Sequence, residues 1–307
     1  MNKEGRILRA RQYLRLHGML YLFLLPALAY IAIFNYGPLY GIQIAFKNFS
    51  PAKGIWGSPW AGDKWFAYFF QSPRFGELIW NTASLSLYSI IAGYPLPIFL
   101  AVTLHYLKSA RYRKFAQTVT YMPYFISTVV LVGMMSMFFS PQSGFVNTII
   151  RFLGGESIYF LGQPKWFRHL YVWSGVWQST GYNAIIYIAA LTCVSPDLHE
   201  SALLDGASRL QRIAHIDIPT ILPTMMILLV LNLSNILSVG FEKVYLMQNN
   251  LTLGVSEVIS TYVYKTGVFD NQYSFSTAIG LFNNGINFIL LVIANWITRR
   301  LSGYGLW

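Results

Sequence analysis

The chain has 307 residues, of which 55% are hydrophobic and only 11% charged, whereas an average soluble domain is about 25% charged. Most of its surface therefore cannot face water, and the fitting solvent is a bilayer. The net charge is +11, yet the Lys and Arg residues form short clusters beside apolar runs and no stripe that tracks a phosphate backbone, which argues against nucleic acid as a partner; the single cysteine, Cys193, excludes an internal disulfide and a cysteine-rich metal site.

Six stretches are long and apolar enough to cross a hydrocarbon core, which takes about 20 helical residues. They lie near 18–40, 78–105, 116–139, 167–192, 221–246 and 275–298. The period-two alternation of a barrel is absent, and unpaired backbone groups are costly in lipid, so the pattern predicts an all-α, polytopic membrane protein. A basic segment, 1–17, precedes a six-helix domain, 18–307. The first span follows Lys3, Arg6, Arg9, Arg11 and Arg15 and contains Ala27-Leu28-Ala29, as a secretion signal does. Its apolar run continues through Ile31 to Phe34, however, and reads as an uncleaved helix.

With the N-terminus inside, Lys and Arg number 13 in the inner segments (1–17, 108–114, Arg209, Arg212, Arg299, Arg300) and 8 in the outer ones. The inner segments are also the shorter, so both termini are predicted to be cytoplasmic. The outer loops, 41–77, 140–166 and 247–274, form the expected landing surface for an extracytoplasmic partner. Lys47, Lys53, Lys64, Arg151, Lys165 and Arg168 in and beside them lean toward an acidic partner or an acidic sugar such as a uronide, although solvated charge explains them equally. Trp56, Trp60, Trp65 and Trp166 are expected at membrane interfaces.

Polar residues inside spans are expensive in lipid and are expected to face a protein interior or water. Span four offers Trp177, Gln178, Tyr182 and Asn183. Span five offers Asn232 and Asn235, three apart and so on one helical face, with Ser238 a further three along. Span six offers Asn283, Asn284 and Asn287. Aromatic faces beside amides suit sugar rings and hydroxyls, but Asn and Ser in membrane helices also simply bind neighbouring helices.

Between spans four and five runs "HESALLDGASRLQRIAHIDIPTILP", His199 to Pro223, which places Glu200, Asp205 and Asp217 in one polar interval. Ser195 is the expected N-cap hydroxyl and Pro196 the first helical residue, with Asp197 and Glu200 where the helix dipole favours negative charge. A short helix should run to about Asp205 and stop at Gly206. Ala207 to Ile216 should form a second short helix, with Pro219 and Pro223 marking entry to span five. His199-Glu200 begins a zinc-protease HExxH, but position 203 is Leu. The other histidines, His17, His105, His169 and His215, are scattered, so no catalytic set and no metal-ligand set assembles from neighbours in sequence. There is no GxxxxGK[ST] phosphate loop, so any ATP must be hydrolysed by another chain.

Glu200, Ala202, Asp205, Gly206, Ala207, Ile216, Pro219 and Pro223 resemble the EAA loop of the membrane subunits of binding-protein-dependent ABC importers. Departures are Ser201 for the first alanine of the triplet, Ile213 where an aromatic is frequent, and Ile218 before the proline. "FNYGPLYGIQIAFKNFSP" and "WNTASLSLYS" resemble the carbohydrate branch, which imports oligosaccharides in bacteria; the chain is similar to the maltose-type permease without its two extra N-terminal spans and large periplasmic insertion.

The resemblance implies a type I importer permease, multi-pass in the bacterial cytoplasmic (inner) membrane, whose loop over 195–223 seats in a cytoplasmic ATPase. It assigns coupling to Glu200, Ser201, Ala202, Asp205, Gly206, Ala207 and Arg209. Two asparagines of the maltose-type permease that contact sugar match Asn232 and Asn235. The implied partners are a second, similar but distinct permease, two ATPase subunits that bind ATP and Mg, and an extracytoplasmic solute-binding protein, with no cofactor in this chain itself. The rival is an ion-coupled secondary transporter of a small polar solute. That class usually needs mid-membrane carboxylates, whereas Glu77 and Glu242 lie near span ends, the latter beside Lys243 as a compensating charge, and no repeated broken segments are evident.

Overall fold

The computed structural model describes residues 18–306, so the basic segment 1–17 lies outside the described residues. The described chain is helical apart from loops and one isolated bridge between Lys47 and Trp60. Helix α1 (Gly18–Phe46) passes through a π turn at Ala32–Tyr36 and tightens to a 3-10 helix over Gly37–Phe46. Pro38 has no N–H for the carbonyl one turn back, and the change of winding absorbs the missing bond. The membrane-length stretch of α1 is 0% buried by the rest of the chain; only its 3-10 end packs on the last helix.

The next helices are α2 (Lys64–Gln71) and α3 (Phe75–His105). The expected third span is broken, not straight. Its halves, α4 (Ala110–Phe125) and α5 (Thr128–Phe138), meet at 97°. Pro123 sits in a 3-10 turn, Ile126 is extended, and the Ser127 hydroxyl accepts from the Val130 N–H at 3.3 Å, ending one helix and starting another. Helix α6 (Phe145–Phe152) follows, held by fully buried Asn147. Its amide donates to the carbonyls of Phe139 (3.3 Å), Ser140 (3.0 Å) and Ile158 (3.0 Å) and accepts from the Ile158 N–H at 2.8 Å.

Helix α7 (Pro164–Thr192) has 29 residues, about 43 Å of rise. It is long enough for the expected fourth span but too polar to satisfy the apolarity of a lone membrane helix; four other described helices do so, and the bent pair makes a fifth. Contacts with α3, α4 and the span-five helix place α7 inside the bundle, while Trp173, Trp177, Tyr182 and Ile186 stay exposed. Gly181 is where α4 crosses it, since a Cβ there would overlap the Thr120 carbonyl.

Helix α8 (Pro196–Leu204) leads through Gly206 into α9 (Arg209–Ser234). The second short helix expected at Ala207–Ile216 is therefore not separate. It runs through a π turn at Ile213–Asp217 straight into span five, the wider winding accommodating Pro219. Span five also ends earlier than expected, at Ser234, followed by a non-helical stretch and then α10 (Phe241–Met247). Ser, Asn and Gly crowd this break, and their side chains compete with the helical ladder. Asn287 replaces the lost bonds: its Oδ1 accepts from the Leu237 N–H at 3.1 Å and its Nδ2 donates to the Ser238 hydroxyl at 2.8 Å. Helices α11 (Ile259–Tyr264) and α12 (Tyr273–Ser302) complete the chain.

Three apolar cores hold the bundle. Leu85, Val132, Met135, Val172, Val176 and Val244 join α3, α5, α7 and α10. Ile98, Ala101, Ala184, Leu191 and Ile221 join α3, α7 and α9. Phe69, Leu78, Ile259, Phe275 and Ile279 join α2, α3, α11 and α12. The loop end is tied by Glu257, which is 4% exposed and paired with Arg74 (2.7 Å) and Lys265 (2.9 Å).

Candidate transport path and coupling elbow

A cavity of about 430 Å³ opens between α3, α7, α9 and α10. Ser89 and Tyr94 come from α3, Gln178, Ser179, Asn183 and Tyr187 from successive turns of α7, Asn232 from α9 and Lys243 from α10. Helix α10, which starts anew after the early end of span five, closes one side of this space with Lys243. Of the eight residues expected on a path, Gln178, Asn183 and Asn232 line the cavity. Asn232 Nδ2 donates to the Leu228 carbonyl of its own helix at 2.7 Å, leaving its oxygen for a ligand. Gln178 Nε2 donates at 2.6 Å to the Ile126 carbonyl, which the break in span three has freed.

The other five lie elsewhere. Asn235 caps α9 and donates to the Leu231 carbonyl at 3.0 Å, so the three-residue spacing from Asn232 carries no common face beyond the helix end. Tyr182 stacks flat on Tyr124, centroids 3.7 Å apart. Trp177 lines a separate apolar cleft with Trp173, Leu131 and Phe138. Asn284 is exposed on α12, and Asn287 is used up in bridging the break.

Lys243 is the group that sequence reasoning placed wrongly. Glu242 points outward and makes no ion pair among the described residues, so it does not compensate Lys243. The ammonium turns inward instead, donating to the Tyr171 carbonyl at 2.8 Å and lying 4.7 Å from the Tyr171 ring centre. Gly175 leaves it room, since a Cβ there would stand 3.1 Å from Nζ. It is the one charged side chain in the lining, and no carboxylate lines the cavity with it. The signal that could have found it is a Lys within span five whose neighbouring Glu242 is turned about 100° away by helical winding.

At the other end of α7 the chain makes its elbow. Helix α8 stops because Gly206 takes φ +78, a left-handed conformation that side chains resist. The Ala207 N–H donates to the Ala202 carbonyl at 2.8 Å and the Gly206 N–H to the Leu203 carbonyl at 3.1 Å. Ser208 and Gln211 then form a reciprocal cap that starts α9. The cap expected from Ser195 is absent, its hydroxyl making no such bond. Glu200, Ser201, Asp205 and Arg209 are exposed and Ala202 and Ala207 half-buried, while Leu198, Leu203, Leu204 and Leu210 project alongside them, Leu204 at 90% exposure. Glu200 and Asp205 make no ion pair among the described residues, so backbone caps, not these acids, order the elbow.

Asp217 behaves differently from the other two acids of the loop. It is fully buried, its Oδ2 accepting from the Tyr106 hydroxyl at 2.7 Å, and its Oδ1 lies 3.2 Å from His199 Nε2. Burial and the bond to Asp217 push the Tyr106 hydroxyl up to about 12. His105, scattered far away in sequence, stands beside the same carboxylate.

A bundle of membrane-length helices around a polar cavity, with an exposed capped elbow at one end, defines a membrane permease. The chain belongs to the family described as the binding-protein-dependent transport system inner membrane component, which matches residues 93–303, and it is an integral inner-membrane protein. It is 40% identical to Protein LplB of Bacillus subtilis (strain 168) over 94% of this chain and 90% of that protein. It is also 40% identical to the polygalacturonan/rhamnogalacturonan transport system permease protein YteP of the same organism, over 94% and 90%. Its fold is that of a bacterial ABC transporter chain involved in the import of the acidic polysaccharide alginate, with TM-score 0.88, 40% identity and coverage of 95% of this chain and 99% of that one. A second structure, of a bacterial alginate ABC transporter with a pentasaccharide-bound periplasmic protein, matches at TM-score 0.88 and 39% identity over 96% and 99%.

Proposed function

We propose that the chain is one half of the pathway of an ATP-driven importer for acidic, uronide-type oligosaccharides. The observation that carries this reading is Lys243, a cation set without a carboxylate in a cavity whose other polar lining groups are amides, hydroxyls and phenols, set among apolar side chains such as Ile90, Val172, Ile186 and Leu228. A neutral sugar needs only the uncharged groups; the inward ammonium matches a uronate carboxylate. The relatives named for polygalacturonan and alginate support the same class.

We infer the remaining assembly from the family, and surfaces the chain leaves uncovered support it. The exposed leucines of the elbow, with Glu200, Asp205 and Arg209 among them, seat in a cytoplasmic ATPase subunit that supplies ATP and Mg chemistry; both termini then lie in the cytoplasm. The uncovered apolar side of α1 faces lipid and a second, distinct permease. The loops opposite receive a solute-binding protein. The complex reconstituted in proteoliposomes with ATP inside should accumulate a uronide trimer in preference to a neutral trimer of equal length. Equal accumulation removes the acidic assignment, and uptake that persists without ATP under a membrane potential removes the ATP-driven one.

A further inference from the structure

We propose that His105, His199 and Asp217 form a binding site for a divalent transition-metal ion of the zinc type, which ties the elbow helix to the ends of α3 and α9. The three side chains come from three separate elements: the last residue of α3, the inward side of α8, and the π turn in the first part of α9. One ligand atom from each lies within 4.8 Å of the other two. No pair of them is close in sequence, so the fold alone brings the set together.

The polar groups at this junction are not satisfied by one another. Asp217 Oδ1 and both ring nitrogens of His199 are buried and have no hydrogen-bond partner, although Oδ1 and Nε2 stand only 3.2 Å apart. The separation is that of an ion pair, but the alignment is not that of an N–H pointing at a lone pair. Buried groups left in this state are costly, and a shared cation satisfies Asp217 Oδ1 and one ring nitrogen of His199 at once.

The donor set also selects the ion. Two imidazoles and one carboxylate suit zinc, cobalt, nickel or ferrous iron, whereas magnesium and calcium prefer oxygen throughout. Zinc bonds of 2.0–2.2 Å place tetrahedral ligands about 3.3 Å apart. The His199–Asp217 edge is at that spacing already, and His105 has roughly 1.5 Å to close, within reach of a ring rotation. Tyr106 holds the other carboxylate oxygen at 2.7 Å, the kind of partner that orients a ligating carboxylate. Three protein ligands leave a fourth position for water. Because Leu198, Leu203 and Leu204 face outward from the same helix, an ion behind them stiffens the elbow without covering it.

The test uses the whole transporter complex, carrying a Strep tag in place of polyhistidine, stripped with chelator, freed of nucleotide and desalted after exposure to Zn²⁺ or Co²⁺. Wild type should retain one more zinc per complex than His199→Gln or Asp217→Asn, and its Co²⁺ form should show the intense visible bands of four-coordinate cobalt. Each of those variants should weaken zinc at least about 100-fold, and Tyr106→Phe about 10- to 100-fold, while His215→Gln, on an exposed ring bonded to the Gln211 carbonyl, should match wild type. Gel filtration confirms that each complex is assembled. Wild type that holds no more zinc than His199→Gln overturns the site, as does cobalt whose spectrum is the same in all variants. A wild-type complex that binds no metal settles the matter irrespective of how the variants fold.

Discussion

Replacing Lys243 by Met separates recognition of charge from everything else the cavity does. The two side chains have similar length, and Met keeps the packing of the stem beside Gly175 and Tyr171. The Tyr171 carbonyl loses one donor at 2.8 Å but keeps the Ser174 hydroxyl at 3.2 Å, so no buried acceptor is orphaned. An ammonium and a carboxylate 4 Å apart attract by about 4 kcal/mol at an effective dielectric constant of 20. Desolvation of both offsets much of that, leaving the roughly 1.5–3 kcal/mol typical of a charge-assisted hydrogen bond. The expected loss is therefore about 10- to 150-fold in the apparent affinity for a uronide oligosaccharide, with a neutral oligosaccharide of the same length changed less than about threefold. Thermal stability of the detergent-purified complex should hold or rise, since the substitution removes a buried cation without a carboxylate partner. Initial uptake rates against substrate concentration, measured in proteoliposomes for both sugars, decide the matter. Equal losses for the two sugars, or an unchanged uronide affinity, refute the argument that the ammonium reads a carboxylate.

Three further outcomes follow from other parts of the molecule. Leu204→Glu places charge on the most exposed leucine of the elbow; burying such a side chain contributes about 1.5–3 kcal/mol, so recovery of the ATPase by affinity purification should fall by about tenfold or more with the melting temperature of the permease unchanged. Gly206→Pro demands φ near −65° where the chain takes +78, and should abolish ATP-coupled uptake in circular-dichroism-normal protein; normal uptake contradicts a fixed elbow. Asn147→Ala removes four hydrogen bonds and should cost roughly 2–4 kcal/mol, read as earlier proteolysis of the loop over 139–158.

The pH dependence of the elbow has a defined sign. Tyr106 ionises at about 12 instead of 10 because burial and Asp217 oppose its charged form. Its contribution to stability is thus complete below pH 10 and is lost as pH rises toward 12. Tyr106→Phe should remove the steepening of alkaline unfolding in that window; wild type and variant with the same alkaline profile contradict the assigned bond to Asp217.

Helix positions were legible because apolarity and length act over twenty residues at a time, and Gly206 was legible because a left-handed stop has few substitutes. Breaks inside spans were not. The 97° turn at Ile126–Ser127 and the end of α9 at Ser234 depend on partners far away, the Gln178 amide on a freed carbonyl and Asn287 on the Leu237 N–H. The same breaks sorted the polar residues: a regular helix through Asn235 and Ser238 would have kept them on one face with Asn232, and the actual chain puts only Asn232 on the cavity.

Charge was misread for a related reason. Adjacency of Glu242 and Lys243 suggested mutual compensation, but neighbours on a helix point about 100° apart, and the pair divides between outside and cavity. Asp217 reverses the pattern: placed among exposed acids of the loop, it is fully buried at the turn where π winding carries the chain around Pro219. Both cases show an interior ion whose partner is absent from its own helix. In Glu257, by contrast, two cations from other segments complete the neutralisation. Glu257, already matched in this way, has little reason to bind a coupling cation, while Lys243, with no carboxylate beside it in the cavity, is the charge that the proposed acidic cargo would meet.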